Sequence, residues 1–157
     1  MIRAGIVGVR GYVGGELARW LLQHPDVNLE AVVSRREAGR PLSEVLPGLL
    51  GLTDLTVSEF DGGALQRCDV VFLATPHGAA EALASDLPDA KCIIDCSADH
   101  RHAPGWVYGQ VEHNREQLFG AARIAVPGCF ATAIELALGP LVAAGVVTGP
   151  VCVSAAP

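Results

Sequence analysis

A doubly wound α/β domain with a mostly parallel sheet is the fold this sequence predicts, and three observations carry the prediction. Short apolar runs alternate with amphipathic stretches along the chain. The runs are apolar throughout instead of every second residue, which marks strands covered on both faces. The first run ends in a glycine turn that leads straight into a helical pattern. Strands separated by helices place neighbours parallel, with helices on both sides of the sheet.

Taken in order, the first strand is read at "IRAGIVG" (2–8), and a helix follows over 12–24 with apolar residues at helical spacing. "LEAVVS" (29–34) and "LTVSEF" (55–60) are read as strands, with a Gly- and Pro-rich loop over 36–54 between them. "DVVFLAT" (69–75) is the next strand, then a helix over 77–87 and a strand at "KCIIDCS" (91–97). A second long loop over 98–110 precedes a weaker helix near 112–118, the strand "RIAV" (123–126) and a long apolar helix over 130–144. Loops as long as these two are often functional. A last strand-like run, "VCVSA" (151–155), has nothing after it to pair with. Residues 1–148 are therefore expected to form one domain, and 149–157 the first strand of a second domain cut off at the end of the chain.

Composition narrows the function classes. The 157 residues are 50% hydrophobic, enough for one compact core. A net charge of -6 provides no basic field for nucleic acid or an anionic membrane. No run of about 18 apolar residues exists and "MIRAGIVG" lacks the flanks of a signal peptide, so a cytoplasmic protein is expected. Five cysteines, an odd number without a CxxC pair, argue against a disulfide frame and a zinc ribbon, and no metal is expected. Cys68, Cys92, Cys96 and Cys152 lie in or beside apolar runs and are expected to be small buried hydrophobes.

The glycine turn "GVRGYVGGEL" carries Gly8, Gly11 and Gly14 as GxxGxxG, with Gly15 extra. A tight strand-to-helix turn of this kind brings backbone close to a pyrophosphate, and the helix N-terminus offers free N–H groups to the anion. Glycines also serve plain turns, but here the motif sits between a buried strand and an amphipathic helix. The second strand ends in Ser34, Arg35 and Arg36, where an NAD site presents a carboxylate about 20 residues beyond the motif. A hydroxyl and guanidinium groups suit a 2'-phosphate, so NADP is favoured over NAD. A solvated arginine pair on a loop is the plainer alternative.

Two further strand ends, "LATPHG" (73–78) and "CSADHR" (96–101), point to the same edge, where open α/β sheets bind ligands. His77 reads as a loop-capping residue as readily as a ligand contact. Arg101 reads either as a grip on an anionic substrate or as a surface arginine. "RIAV" ends at this edge too, and Pro127 and Gly128 deliver Cys129 to a helix N-terminus. The partial positive charge there favours the thiolate, which is the form that attacks a carbonyl carbon. Cys129 is the candidate nucleophile; a cysteine buried under a helix cap is the alternative.

The blocks "GIVGVRGYVGGEL", "SRREAG", "LATPHG", "DCSADHR", "VYGQVEHNRE" and "RIAVPGCFATA" together resemble N-acetyl-gamma-glutamyl-phosphate reductase, a relative of aspartate-semialdehyde dehydrogenase, over essentially the whole chain. The resemblance implies a Rossmann-like domain and NADPH-dependent reduction of an N-acyl glutamyl phosphate to the semialdehyde, with loss of phosphate, in arginine biosynthesis. It implies Cys129 as catalytic nucleophile. The implied cofactor contacts are Gly8, Arg10, Gly11, Tyr12, Val13, Gly14, Ser34, Arg35, Pro76 and Ser97, with Arg101 on the substrate. It also implies that residues 1–148 are the NADP-binding domain, that 149–157 open an α+β substrate domain supplying an acid/base histidine, which none of His24, His77, His100, His102 or His113 matches, and that the whole protein is a homo-oligomer, dimer or tetramer. This 157-residue piece alone is then expected to be inactive. The chain departs from the family pattern at Val126, where Asn is usual, at Arg10, where a small residue is common, and at Gln110 and His113, where Leu is usual. Two alternatives stay open: a related acyl-phosphate reductase, acting on aspartyl phosphate or on a carrier-linked aminoadipyl or glutamyl phosphate, and a nucleotide-binding module without catalysis.

Overall fold

Six strands, β1 (Ile2–Val7), β2 (Val27–Val33), β3 (Val70–Leu73), β4 (Ile93–Asp95), β5 (Val107–Tyr108) and β6 (Arg123–Ala125), form one sheet in the computed structural model, which describes residues 1–155. Their order across the sheet is β2-β1-β3-β4-β6-β5, and every strand pairing is parallel among the described residues. The chain moves from β1 to one neighbour, β2, and then returns to the other side of β1 as β3. The direction of winding reverses there, and the crevice outside the carboxyl ends of β1 and β3 is the ligand position of an open α/β sheet.

Both faces of the sheet are covered because both sets of side chains are apolar. Ala4, Ile6, Leu29 and Val32 pack with Ala18 of α1 (Tyr12–Leu21) and Leu42 of α2 (Leu42–Val45). Val7, Val33, Val71, Leu73 and Ile93 pack on the opposite face with Leu65 of α3 (Gly62–Gln66) and Ala80 of α4 (Ala80–Ser85). Two helices, α5 (Val111–Leu118) and α6 (Cys129–Ala143), flank β6 in the chain and contain no fully buried residue.

The structure differs from the sequence expectation in several places. "LTVSEF" does not form a strand: only single bridges, Pro41 with Thr56 and Val33 with Ser58, touch it. Its polar residues leave too little apolar surface for a sheet position covered on both sides. The loop expected over 36–54 contains α2 and a 3₁₀ turn at Pro47–Leu49, which bury Leu42 and Leu49. The loop expected over 98–110 contains β5, a two-residue edge strand beside β6. Residues 151–155 carry no regular structure and are exposed. Val151 and Val153 lie along α6, sharing a shallow recess with Phe130 and Ile134; without a neighbouring strand the run has no hydrogen-bonding partner to make it β. Cys152 is exposed with that run, contrary to its reading as a buried hydrophobe, whereas Cys68 is buried and Cys92 and Cys96 are partly so. Residues 156–157, the end of the expected second unit 149–157, lie outside the described residues.

Candidate active site

The carboxyl ends of β1, β2 and β3 enclose a groove of about 810 Å³, within the size of ordinary ligand sites. Gly8 and Gly11 form its floor beside β1, Ser34, Arg35 and Arg36 its end at β2, and Ala74, Thr75 and Pro76 its wall at β3. Gly8 has φ +93°, and a Cβ there would overlap the carbonyl of Ala74, the residue that follows β3. The same atom on Gly14 would overlap the Gly8 carbonyl. Glycine at both positions lets the turn close on β3 and lets α1 start directly above it. Gly11 is the N-cap of α1 without a side-chain cap, so first-turn N–H groups remain for an anion.

At the β2 end, Glu37 binds two guanidinium groups, Arg10 Nε at 2.7 Å and Arg40 Nη1 at 2.6 Å. Its carboxylate is thus neutralised beside Ser34, Arg35 and Arg36 and does not present itself as a lone acceptor for a ribose 2'-hydroxyl. Arg35 and Arg36 stand exposed on the groove, a field suited to a phosphate dianion.

The loops after β3 and β4 are cross-linked. Asp99 accepts from the N–H groups of Gly78 at 2.8 Å and Ala80 at 3.0 Å, and the Gly78 bond foremost holds its carboxyl below the usual carboxylate range despite partial burial. His77 Nδ1 accepts from Ala98 N–H at 2.9 Å, so its role in this structure is to hold the two loops together. Asp95, fully buried at the end of β4, accepts from Ser97 N–H at 2.8 Å, Ser97 Oγ at 2.9 Å and His100 Nδ1 at 2.7 Å. The His100 ring stacks on Trp106 with centroids 3.8 Å apart. Ser97 Oγ also accepts from Asp99 N–H at 3.0 Å, so both sides of this hydroxyl are used within the loop.

That buried turn delivers Arg101 to the start of α6. Arg101 Nε donates to the Val126 carbonyl at 3.0 Å, and Val126 N–H donates to the Asp95 carbonyl at 2.8 Å. Main chain therefore makes both recorded polar contacts at position 126, and neither depends on the side chain there. A Cβ on Gly128 would lie 3.0 Å from Arg101 Nη1, which puts the guanidinium against the turn that immediately precedes Cys129. Gly128 is the N-cap of α6, again without a side-chain cap, and Thr132 tightens the first turn by donating from N–H at 2.9 Å and Oγ1 at 3.0 Å to the Gly128 carbonyl. Cys129 is exposed at this helix N-terminus. The guanidinium and the helix end thus both place positive charge beside Cys129.

The structure brings Gly8, Arg10, Gly11, Ser34, Arg35 and Pro76 together around one groove. Tyr12 and Val13, in the first turn of α1, are exposed outside its lining, and Gly14 acts from beneath through packing. Ser97 is buried in the loop that carries Arg101, and Arg101 and Cys129 form a second cluster along the same sheet edge. Sequence reasoning passed over Thr75, whose Oγ1 is the one buried side-chain N or O atom without a hydrogen-bond partner among the described residues. It also passed over Glu37, whose "RREAGR" setting, an acid among arginines, is a legible signal of the ion cluster.

Comparison with known proteins agrees with this layout. N-acetyl-gamma-glutamyl-phosphate reductase of Salinispora arenicola is 44% identical over 160 residues, covering 92% of this chain and 48% of that protein. The Pseudomonas aeruginosa protein of the same name is 46% identical over 166 residues, covering 92% and 48%. The chain spans about half the length of the curated relatives it matches. Aspartate semialdehyde dehydrogenase of Candida albicans, solved with NADP, superposes with a TM-score of 0.71 at 21% identity, covering 92% of this chain and 47% of that one. The enzyme from Francisella tularensis gives 0.74 at 17% identity, covering 92% and 42%; at such identities the likeness is one of fold. The family model described as semialdehyde dehydrogenase, NAD binding domain, matches residues 3–121. A match that runs from β1 to the segment just before β6 is far longer than any one motif, and the chain belongs to the family of semialdehyde dehydrogenase NAD-binding domains.

Proposed function

We propose that this chain is the nucleotide-binding and nucleophile-bearing part of an NADPH-dependent reductase that converts N-acetyl-gamma-glutamyl phosphate to the semialdehyde and inorganic phosphate, a step of arginine biosynthesis. The observation that carries the reading is the exposed Cys129 at the N-terminus of α6, with the Arg101 guanidinium packed on Gly128 just before it. The names of the relatives at 44% and 46% identity support the acyl group.

A dinucleotide fits the groove on three structural grounds. The glycine floor has no room for a Cβ at Gly8, Arg35 and Arg36 stand exposed at the β2 end, and the Thr75 hydroxyl lacks a partner among the described residues. Gly8, Gly11 and the first turn of α1 would hold the diphosphate, and Ser34, Arg35 and Arg10 the 2'-phosphate. When bound, NADPH supplies the hydride that reduces the Cys129 thioester to the aldehyde. Cys129 itself attacks the acyl carbonyl and displaces phosphate, forming that thioester. Arg101, fixed by the Val126 carbonyl, holds the anionic substrate at the mouth of α6. Phosphate departs without strong acid help, so the burden on this half is nucleophile placement and charge.

The reaction belongs to the cytoplasm, where free thiols stay reduced. We assign the working protein to a homo-oligomer, on the strength of the apolar residues Phe130, Leu136, Leu141 and Val142 that α6 exposes. In the full-length protein, Cys129→Ser is expected to abolish phosphate-dependent NADP reduction with the semialdehyde, a loss of at least about a thousandfold, and to leave NADPH affinity unchanged. Substantial residual turnover sinks the nucleophile assignment.

A further inference from the structure

We infer that Thr75 is a nucleotide-binding residue, its hydroxyl being the one side-chain hydrogen-bonding group that the β3 wall of the groove offers to the diphosphate–ribose part of the ligand. The inference rests on the nucleotide reading above and deepens it.

The wall after β3 is built from Ala74, Thr75, Pro76, Ala79 and Leu83. Four of these side chains carry no polar atom, and Pro76 also lacks a backbone N–H. A ligand pocket is mostly apolar, with a few polar groups that fix orientation, and on this wall Thr75 is the single candidate. Its Oγ1 is shut off from solvent and makes no hydrogen bond among the described residues. An unpaired buried hydroxyl is costly and rare in a folded protein, and the neighbouring polar groups show the contrast. Asp95 at the end of β4, and Ser97 and Asp99 on the loop that follows it, are all hydrogen-bonded.

Position supplies the rest. A Cβ on Gly8 would stand 3.3 Å from the Thr75 backbone nitrogen, so Thr75 lies directly against the glycine turn that leads into the N-terminus of α1. It is also at the point where the sheet reverses its winding, between β1 and β3. In this structure Oγ1 points inward while other atoms of Thr75 line the groove. Ligand binding would turn the hydroxyl to the groove side by a change of χ1 rotamer, where it would donate to a phosphate oxygen or share a hydrogen bond with a ribose hydroxyl. The ligand thereby satisfies a group that the unliganded fold leaves unsatisfied.

The experiment compares wild type, Thr75→Val and Thr75→Ser in the full-length protein. NADPH binding is read by fluorescence titration, 2',5'-ADP binding by calorimetry, and melting is recorded without ligand. Thr75→Val keeps the shape and removes the hydroxyl. It is expected to weaken NADPH about three- to tenfold, the range one net hydrogen bond supplies, while the unliganded melting temperature stays the same or rises. Thr75→Ser is expected to bind as wild type does. Unchanged NADPH affinity in Thr75→Val overturns the inference, as does a lowered unliganded melting temperature, which would reveal a partner inside the fold. Both results leave the nucleotide reading standing if wild type binds. A wild-type protein that binds neither NADPH nor 2',5'-ADP overturns that reading and the inference with it.

Discussion

Cys129 and Cys152 are open to solvent, whereas Cys68 is buried and Cys92 and Cys96 are partly so, and this division decides which thiols react. Burial pushes the Cys96 thiol up to about 11, with the neighbouring Asp95 carboxylate adding to it, and burial raises Cys68 and Cys92 in the same direction. The thiolate is the reactive species. Brief iodoacetamide treatment at neutral pH followed by peptide mapping is therefore expected to label Cys129 and Cys152, leaving the other three unmodified until the protein is denatured. Early labelling of Cys96 contradicts the packing around β4. At this scale Cys129, Arg101 and the groove glycines were legible, because each is a residue type with a chemistry at a strand end. Thr75 was not, since its signal is the absence of a partner, which exists only after packing. Ser97 is a cofactor contact that the resemblance of its block implies; in the structure its hydroxyl is engaged by Asp95 and Asp99.

Among the elements, the long apolar strands and α1 were legible from periodicity, since each buries enough surface to leave a pattern. What escaped is short: α2 and α3 span four and five residues, and β5 two. A two-residue strand has no period to detect, and β5 exists because β6 offers it an edge. "LTVSEF" shows the converse, a strand-like composition that tertiary packing leaves with two isolated bridges. The amino ends of the central strands are tied by charge. Asp69, just before β3, accepts from Arg3 of β1 at Nε, Nη2 and backbone N–H, and from Lys91 Nζ, just before β4, at 2.7 Å. The Arg3 side chain first, then Lys91, hold the Asp69 carboxyl well below the usual carboxylate range. A carboxylate depressed in the folded state adds stability above its unfolded value, near 4, and loses it as pH falls through the lower folded value. Asp69→Asn is thus expected to melt below wild type at neutral pH, by a modest margin since the group is open to water. The gap narrows as pH drops below about 4. A gap that stays constant with pH contradicts this account of the triad.

For the whole molecule, strand order explains why chemistry gathers on one side. All six strands run parallel, so their carboxyl ends share an edge, and the reversal beside β1 opens the groove there. Helix positive ends follow from the same topology: α1 begins at Gly11 over the groove and α6 begins at Gly128 beside Arg101. The fold class was legible because alternation of apolar runs and helical patterns leaves few topologies, and the edge carrying the site follows from it. The order in which the last two strands join the sheet, β6 inside β5, was not legible, because nothing local in 98–110 states which side of β6 that segment takes. The central claim is that Cys129 on this edge becomes acylated by an acyl phosphate. Its most direct test is to mix the full-length protein with N-acetyl-gamma-glutamyl phosphate in the absence of NADPH, quench in acid and map the peptides by mass. The account predicts one N-acetylglutamyl group, released by hydroxylamine as a thioester is, on the peptide containing Cys129; a protein that stays unmodified, or carries the group on another cysteine, contradicts it.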